Sequence, residues 1–149
     1  MDSLLATLFS VLLAEIGDRP QILGAALALR FGNDRPIIIA LALATALNCL
    51  ISAAAGSVID DWISEDPLRL FNGLAYIFAG IGMLAWRRRV ELLDGWKTGP
   101  FLTAFFGLFI LQFGDKGQFI IAANAALTPH WLFTAIGGWM GIMAAIIPA

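Results

Sequence analysis

Twice in this chain a long apolar stretch is broken halfway by a cluster of charges, and the two clusters match. The first, Glu15-Ile16-Gly17-Asp18-Arg19-Pro20-Gln21, interrupts a run from Leu4 to Leu29. The second, Gln112-Phe113-Gly114-Asp115-Lys116-Gly117-Gln118, interrupts a run from Phe101 to about Leu127. Set against each other at an offset of 97 residues, they keep Gly, Asp, a basic residue and Gln in register. A charge at the bilayer midplane costs at least ~2.5–3.5 kcal/mol on insertion scales, so such clusters must point inward, paired or hydrated.

Composition supplies the bilayer. Of 149 residues 60% are hydrophobic and 13% charged, with a mean hydropathy of +0.84, which is too apolar for an ordinary soluble domain. Five stretches are long enough to cross ~30 Å of hydrocarbon at about 1.5 Å per helical residue. They are Leu4–Leu29, Ile37–Val58, Leu70–Trp86, Phe101–Leu127 and Trp131–Ala149. The expected fold class is therefore all-α, a polytopic membrane helix bundle. A soluble enzyme is excluded and no enzyme activity is expected; no basic surface points to nucleic acid. Cys49 stands alone, so neither a disulfide nor a Cys-based zinc site can be built. The N-terminus lacks a basic n-region, and its long apolar run reads as a retained helix.

Three spans separate the two clusters, and an odd number turns the second copy upside down in the membrane. The chain divides on this reading into a first repeat of three helices (1–89), a cytoplasmic loop (90–100) and a second repeat (101–149) that shows two helices and lacks its last. Basic residues set the orientation: Arg30, Arg35, Arg87, Arg88, Arg89 and Lys97 fall on one side and Arg69 on the other, which places the N-terminus outside. The acidic loop from Asp60 to Asp66 then faces out, and Trp62, Trp86, Trp96 and Trp131 fall near the interfaces. Small residues Ala44, Ala46, Ala53, Ala54 and Gly56 permit close helix approach.

Both clusters lie about 17–21 Å into their spans, near the midplane. Glu15 and Asp18, three apart, are expected on one helical face, with Gln112 and Asp115 likewise on the other helix. Three carboxylates and an amide oxygen are hard donors that suit Ca²⁺, Mn²⁺ or Mg²⁺. Pro20 removes a donor and clashes with the carbonyl of Ile16, so the first helix is expected to bend or unwind there, loosened by Gly17 as the second is by Gly114 and Gly117. The same residues admit a plainer reading, in which Asp18 with Lys116 and Asp115 with Arg19 form static interhelical ion pairs. Asn48, Asn72 and Asn124 read as polar glue between helices, and His130 as an interfacial residue.

These motifs resemble the signature Glu-x-Gly-Asp-[Lys/Arg]-[Ser/Thr], which occurs twice in an inverted repeat of three-helix units in the Gdt-type cation/proton exchangers of Golgi, chloroplast and bacterial membranes. The resemblance implies exchange of a divalent cation, Mn²⁺ or Ca²⁺, for protons, with no resident cofactor, in the bacterial inner membrane. It implies Glu15, Asp18, Gln112 and Asp115 as ion ligands, Arg19 and Lys116 as balancing charges, and Gln21 and Gln118 as supporting polar contacts. The chain departs from the signature at Gln112, where Glu is expected, and at Pro20 and Gly117, where hydroxyls are expected. The implied sixth span is also missing, which points to a truncated sequence or a neighbouring subunit in a homo-oligomer. Two other readings remain open: a non-transporting assembly partner held by structural ion pairs, and an exporter of a small organic cation.

Overall fold

The computed structural model describes residues 2–85 and 90–148. Trp86 and the Arg87-Arg88-Arg89 run used to orient the chain lie outside the described residues. Seven helices and no strand make up the described part: α1 (Asp2–Glu15), α2 (Arg19–Phe31), α3 (Asp34–Asp60), α4 (Glu65–Ala85), α5 (Pro100–Gln112), α6 (Lys116–Ala125) and α7 (Trp131–Ile146). α3 and α4 are each long and apolar enough to cross a membrane. The first and fourth expected spans are each split into two short helices, α1 with α2 and α5 with α6. At 14 and 13 residues, α1 and α2 are each only about 20 Å long and cannot span hydrocarbon alone.

Glycine, and not proline, makes each break. Gly17 and Gly114 adopt φ of +76° and +74°, a left-handed turn that side chains with a Cβ resist. The following aspartates, Asp18 and Asp115, are extended and stand at the N-caps of α2 and α6. The expected clash of Pro20 with Ile16 does not arise, because α1 has already ended and Pro20 sits in the first turn of α2, where a missing N–H costs nothing. Glu15 and Asp18 consequently do not share a helical face. One closes α1 and the other opens α2.

Small residues allow the helices to meet. A Cβ on Gly137 or Gly141 of α7 would overlap the backbone of α1 at Leu4 and Leu8, and one on Gly56 of α3 would overlap that of α6 at Ala122. Thus α1 packs on α7 while α5 packs on α3, and α6 wedges between α1, α3 and α4. Val11, Leu23, Leu27, Leu108, Ile120 and Ile121 fill the centre, whereas Phe9, Leu13, Leu47, Ile77 and Phe106 face outward, as lipid-facing positions do. Most positions of α4 lie outside the core, its buried contacts coming from Leu68, Ala75 and Ala79.

The segment between α4 and α5 is pinned to the bundle. Arg30, at the end of α2, donates to the carbonyls of Leu93 (2.8 Å), Asp94 (3.4 Å) and Trp96 (3.2 Å). Leu93 itself takes a left-handed φ of +57° and rests in the space that Gly107 leaves by having no side chain.

Candidate metal centre

The two broken turns are built alike. Gly17 donates its N–H to Gln21 Oε1 at 2.7 Å, and Gly114 donates to Gln118 Oε1 at 2.9 Å. Each glutamine closes the turn whose aspartate it follows by three residues. The remaining amide groups differ: Gln21 Nε2 donates to the carbonyl of Ala145 on α7 at 3.0 Å, whereas Gln118 Nε2 is buried with no partner among the described residues.

Across these turns the acidic side chains meet. Glu15, Asp18 and Asp115 each offer a carboxylate oxygen, and the three oxygens lie within 4.8 Å of one another. Oxygens on opposite sides of a hard cation with bonds of about 2.3–2.6 Å stand about 5 Å apart, so one ion fits the set. Glu15 is 3% exposed and lies against Gly117, where any side chain would collide with its carboxylate. Glycine at this position, where the signature has a hydroxyl, leaves the carboxylate room to lie as it does. Both aspartates are ion-paired across the gap: Lys116 with Asp18, and Arg19 with Asp115 at 3.4 Å. Glu15 has no ion pair among the described residues, and its Oε2, like Asp115 Oδ2, is buried without a hydrogen-bond partner. Five formal charges thus share one site, three negative and two positive, leaving an excess of one negative.

Gln112 occupies the end of α5 as Glu15 occupies the end of α1, but its amide is taken up by α3. Its Oε1 accepts from Thr45 at 3.3 Å and Asn48 at 3.5 Å, and its Nε2 is 3.2 Å from Thr45 Oγ1. Asn48 is therefore beside the second motif, while its Oδ1 is left without a partner. Asn72 and Asn124 form a separate ladder: Asn72 donates to Asn124 (2.8 Å), which donates to Thr7 (3.0 Å) and Tyr76 (3.1 Å). It ties α1, α4 and α6 together. His130 stays exposed in the α6–α7 turn.

A cavity of about 510 Å³ opens beside the ion pairs, lined by Asp18, Arg19, Asp115 and Lys116 and, from α4 and α6, by Phe71, Phe78 and Phe119 among others. Reading the sequence missed Thr45, which holds Gln112, and the aromatic face of α4. A polar residue three helical positions from Asn48 was the available signal for the first; nothing local marked the second.

The sequence profile of the family described as "Divalent cation/proton antiporter GDT1" matches residues 3–90. A protein of Vibrio cholerae serotype O1 (strain ATCC 39541 / Classical Ogawa 395 / O395) named "Putative manganese exporter" is 33% identical over 155 aligned residues, 99% of this chain and 74% of its own length. The chain belongs to the GDT1 family. It is accordingly a membrane protein of a cation-transporter family, and not an enzyme. The GDT1 match contains the first motif and stops before the second, the one that departs from the signature at Gln112. No solved structure matches the chain.

Proposed function

We propose that the chain exchanges a divalent cation, Mn²⁺ in preference to Ca²⁺, for protons, with Glu15, Asp18 and Asp115 as ligands. The meeting of three carboxylate oxygens from both motifs within 4.8 Å carries this reading; the name of the V. cholerae relative favours manganese. Without an ion, the Lys116 ammonium and the Arg19 guanidinium act as tethered counter-charges on the aspartates. An arriving dication replaces them and also satisfies Glu15, the carboxylate that neither base neutralises. A protonated carboxyl is a poor ligand, and a bound cation opposes protonation of its ligands, so ion and proton displace each other. That competition yields exchange. Gln112 becomes an additional oxygen ligand if it leaves Thr45 and Asn48. The two halves, 1–89 and 101–149, insert oppositely around this site with 90–100 on the cytoplasmic side of the bacterial inner membrane and the N-terminus outside, as the distribution of Lys and Arg favours.

The test is Mn²⁺ flux into proteoliposomes under an imposed pH gradient. Asp18→Asn and Asp115→Asn are each expected to lower flux by about 100-fold or more, since loss of even an outer-shell partner costs about 10- to 100-fold. Unchanged flux in both variants rejects the assignment. The cavity favours a second reading, because its volume and its phenylalanines suit a small organic cation better than a bare ion. Under that reading lysine competes with Mn²⁺ and is itself transported.

A further inference from the structure

The two glutamines that follow the aspartates do different work in the two motifs. Both side-chain carbonyls accept the N–H of the left-handed glycine, Gly17 in one turn and Gly114 in the other. Those glycines hinge the break, and the residue after each is an aspartate that faces the ion pairs. A bond from Gln Oε1 back to the glycine therefore fixes the angle at which the aspartate leaves the turn. This is the office that outer groups perform at metal sites, where they orient the ligands without touching the ion.

Only Gln21 reaches further. Its Nε2 donates to Ala145 of α7, the helix whose glycines bring it into backbone contact with α1. The turn that bears Asp18 is thus bonded to α7, while Gln118 Nε2, at the matching place in the other turn, is buried and unpaired among the described residues. Buried donors without partners are rare, and one at this position marks the second turn as closed on itself but bonded to no neighbouring helix through this group.

We infer that Gln21 and Gln118 are positioning residues that staple the two aspartate turns, and that Gln21 alone also tethers its turn to α7, so that displacement of α7 is transmitted to Asp18. The inference rests on the reading of the carboxylates as the ion site. A displaced α7 pulls on Gln21, the pull reaches Gly17 through the same amide, and Asp18 turns with it; the second turn keeps its shape meanwhile. The first motif is then the one whose ligand geometry changes in the transport cycle.

Two measurements on the full chain in lipid test this. Hydrogen exchange reads the staples directly: Gln21→Met is expected to expose the Gly17 amide and leave Gly114 protected, and Gln118→Met to do the reverse. Mn²⁺ flux reads the tether. Gln118→Met raises the KM for Mn²⁺ about tenfold with the maximal rate retained, whereas Gln21→Met raises KM similarly and lowers the maximal rate as well. Gln21→Glu keeps the acceptor for Gly17 and loses the donor to Ala145, so it lowers the rate without the rise in KM expected of Gln21→Met. Gly amides as protected in the Met variants as in the wild type overturn the staples, and equal maximal rates in the Gln21 and Gln118 variants overturn the tether. A wild-type chain that moves no Mn²⁺ while the amides respond as described defeats the transport reading and leaves the staples standing.

Discussion

The first and second motifs share a backbone and differ in one charge. In each, a short helix ends, a glycine turns left-handed, an aspartate stands at the N-cap position of the next helix and a glutamine bonds back to the glycine. At the end of α1, however, stands Glu15, buried with an unpartnered oxygen; at the end of α5 stands Gln112, its amide engaged by Thr45 and Asn48. An ionised carboxylate in that environment is costly unless a cation compensates it, whereas a hydrogen-bonded amide is comfortable without one. The charge that no basic residue matches therefore stands in the first motif, whereas the matching position of the second holds a hydrogen-bonded amide. On the proposed reading, this difference puts the demand for a cation on the Glu15 side of the site.

Removing that difference has the largest expected effect. Glu15→Gln makes the two motifs alike and leaves two carboxylates already matched by Lys116 and Arg19, so no net attraction for a dication remains. Mn²⁺ flux should fall by more than about 100-fold, beyond the usual cost of an outer-shell change, while the chain should fold at least as well, a buried charge having been removed. A variant that folds and still transports would show that the uncompensated charge is not what draws the ion.

The second test asks whether the ion pairs are merely structural. Asp18→Asn strands Lys116 at the cavity wall and should destabilise the chain by about 1–3 kcal/mol, less than the cost of removing one member of a fully buried pair. Exchanging the partners, with Asp18→Lys and Lys116→Asp together, restores the pair but moves the carboxylate onto the other turn. Stability measured by denaturant titration should recover and flux should not. Recovery of both would leave the pairing as the whole role of these charges.

How far the sequence leads here depends on distance along the chain. Charges inside apolar stretches admit few solutions, so an inward-facing cluster followed from the pattern, and the pairing of Asp18 with Lys116 and of Asp115 with Arg19 was one of the two arrangements that pattern left open. The cause of the break did not follow from it. Proline and glycine both interrupt helices, and only the backbone shows that Gly17 ends α1 before Pro20 has anything to disrupt. Placing Glu15 and Asp18 on one helical face failed for that reason, although the turn brings them together by another route. The capture of Gln112 depends on Thr45, 67 residues away, and the hold of Arg30 on Leu93 on a residue 63 away. Contacts of that range have no local signature.

Restoring the missing charge sharpens the comparison from the other side. Gln112→Glu places a fourth carboxylate where two donors, the Thr45 hydroxyl and Asn48 Nδ2, already face the side-chain oxygen. The site should then bind Mn²⁺ several-fold more tightly, about 1 kcal/mol in binding free energy, and the gain should shrink as pH falls because the new group also takes a proton. Isothermal titration at two pH values measures both. Unaltered affinity would mean that α3 holds residue 112 away from the ion whatever its charge.

A further difference concerns what holds the second half of each broken span. α6 is fastened inside the bundle by Asn124, which bonds Thr7, Asn72 and Tyr76; α2 is fastened at its far end by Arg30, exposed, on the carbonyls of the following loop. Hydrogen bonds between membrane helices average about 0.6 kcal/mol each, and Asn124 bonds three residues, Thr7, Asn72 and Tyr76. Asn124→Leu should therefore cost about 2 kcal/mol in stability and reduce flux, since α4 and its phenylalanines lose their anchor over the cavity. Arg30→Ala should cost about 1 kcal/mol or less, free the segment around Leu93 to proteolysis and leave flux near that of the wild type, because water takes over the released carbonyls. If Arg30→Ala proved the more damaging to transport, the loop against Gly107 would be part of the moving machinery, and the end of α2 would matter to the cycle as much as its beginning at Asp18.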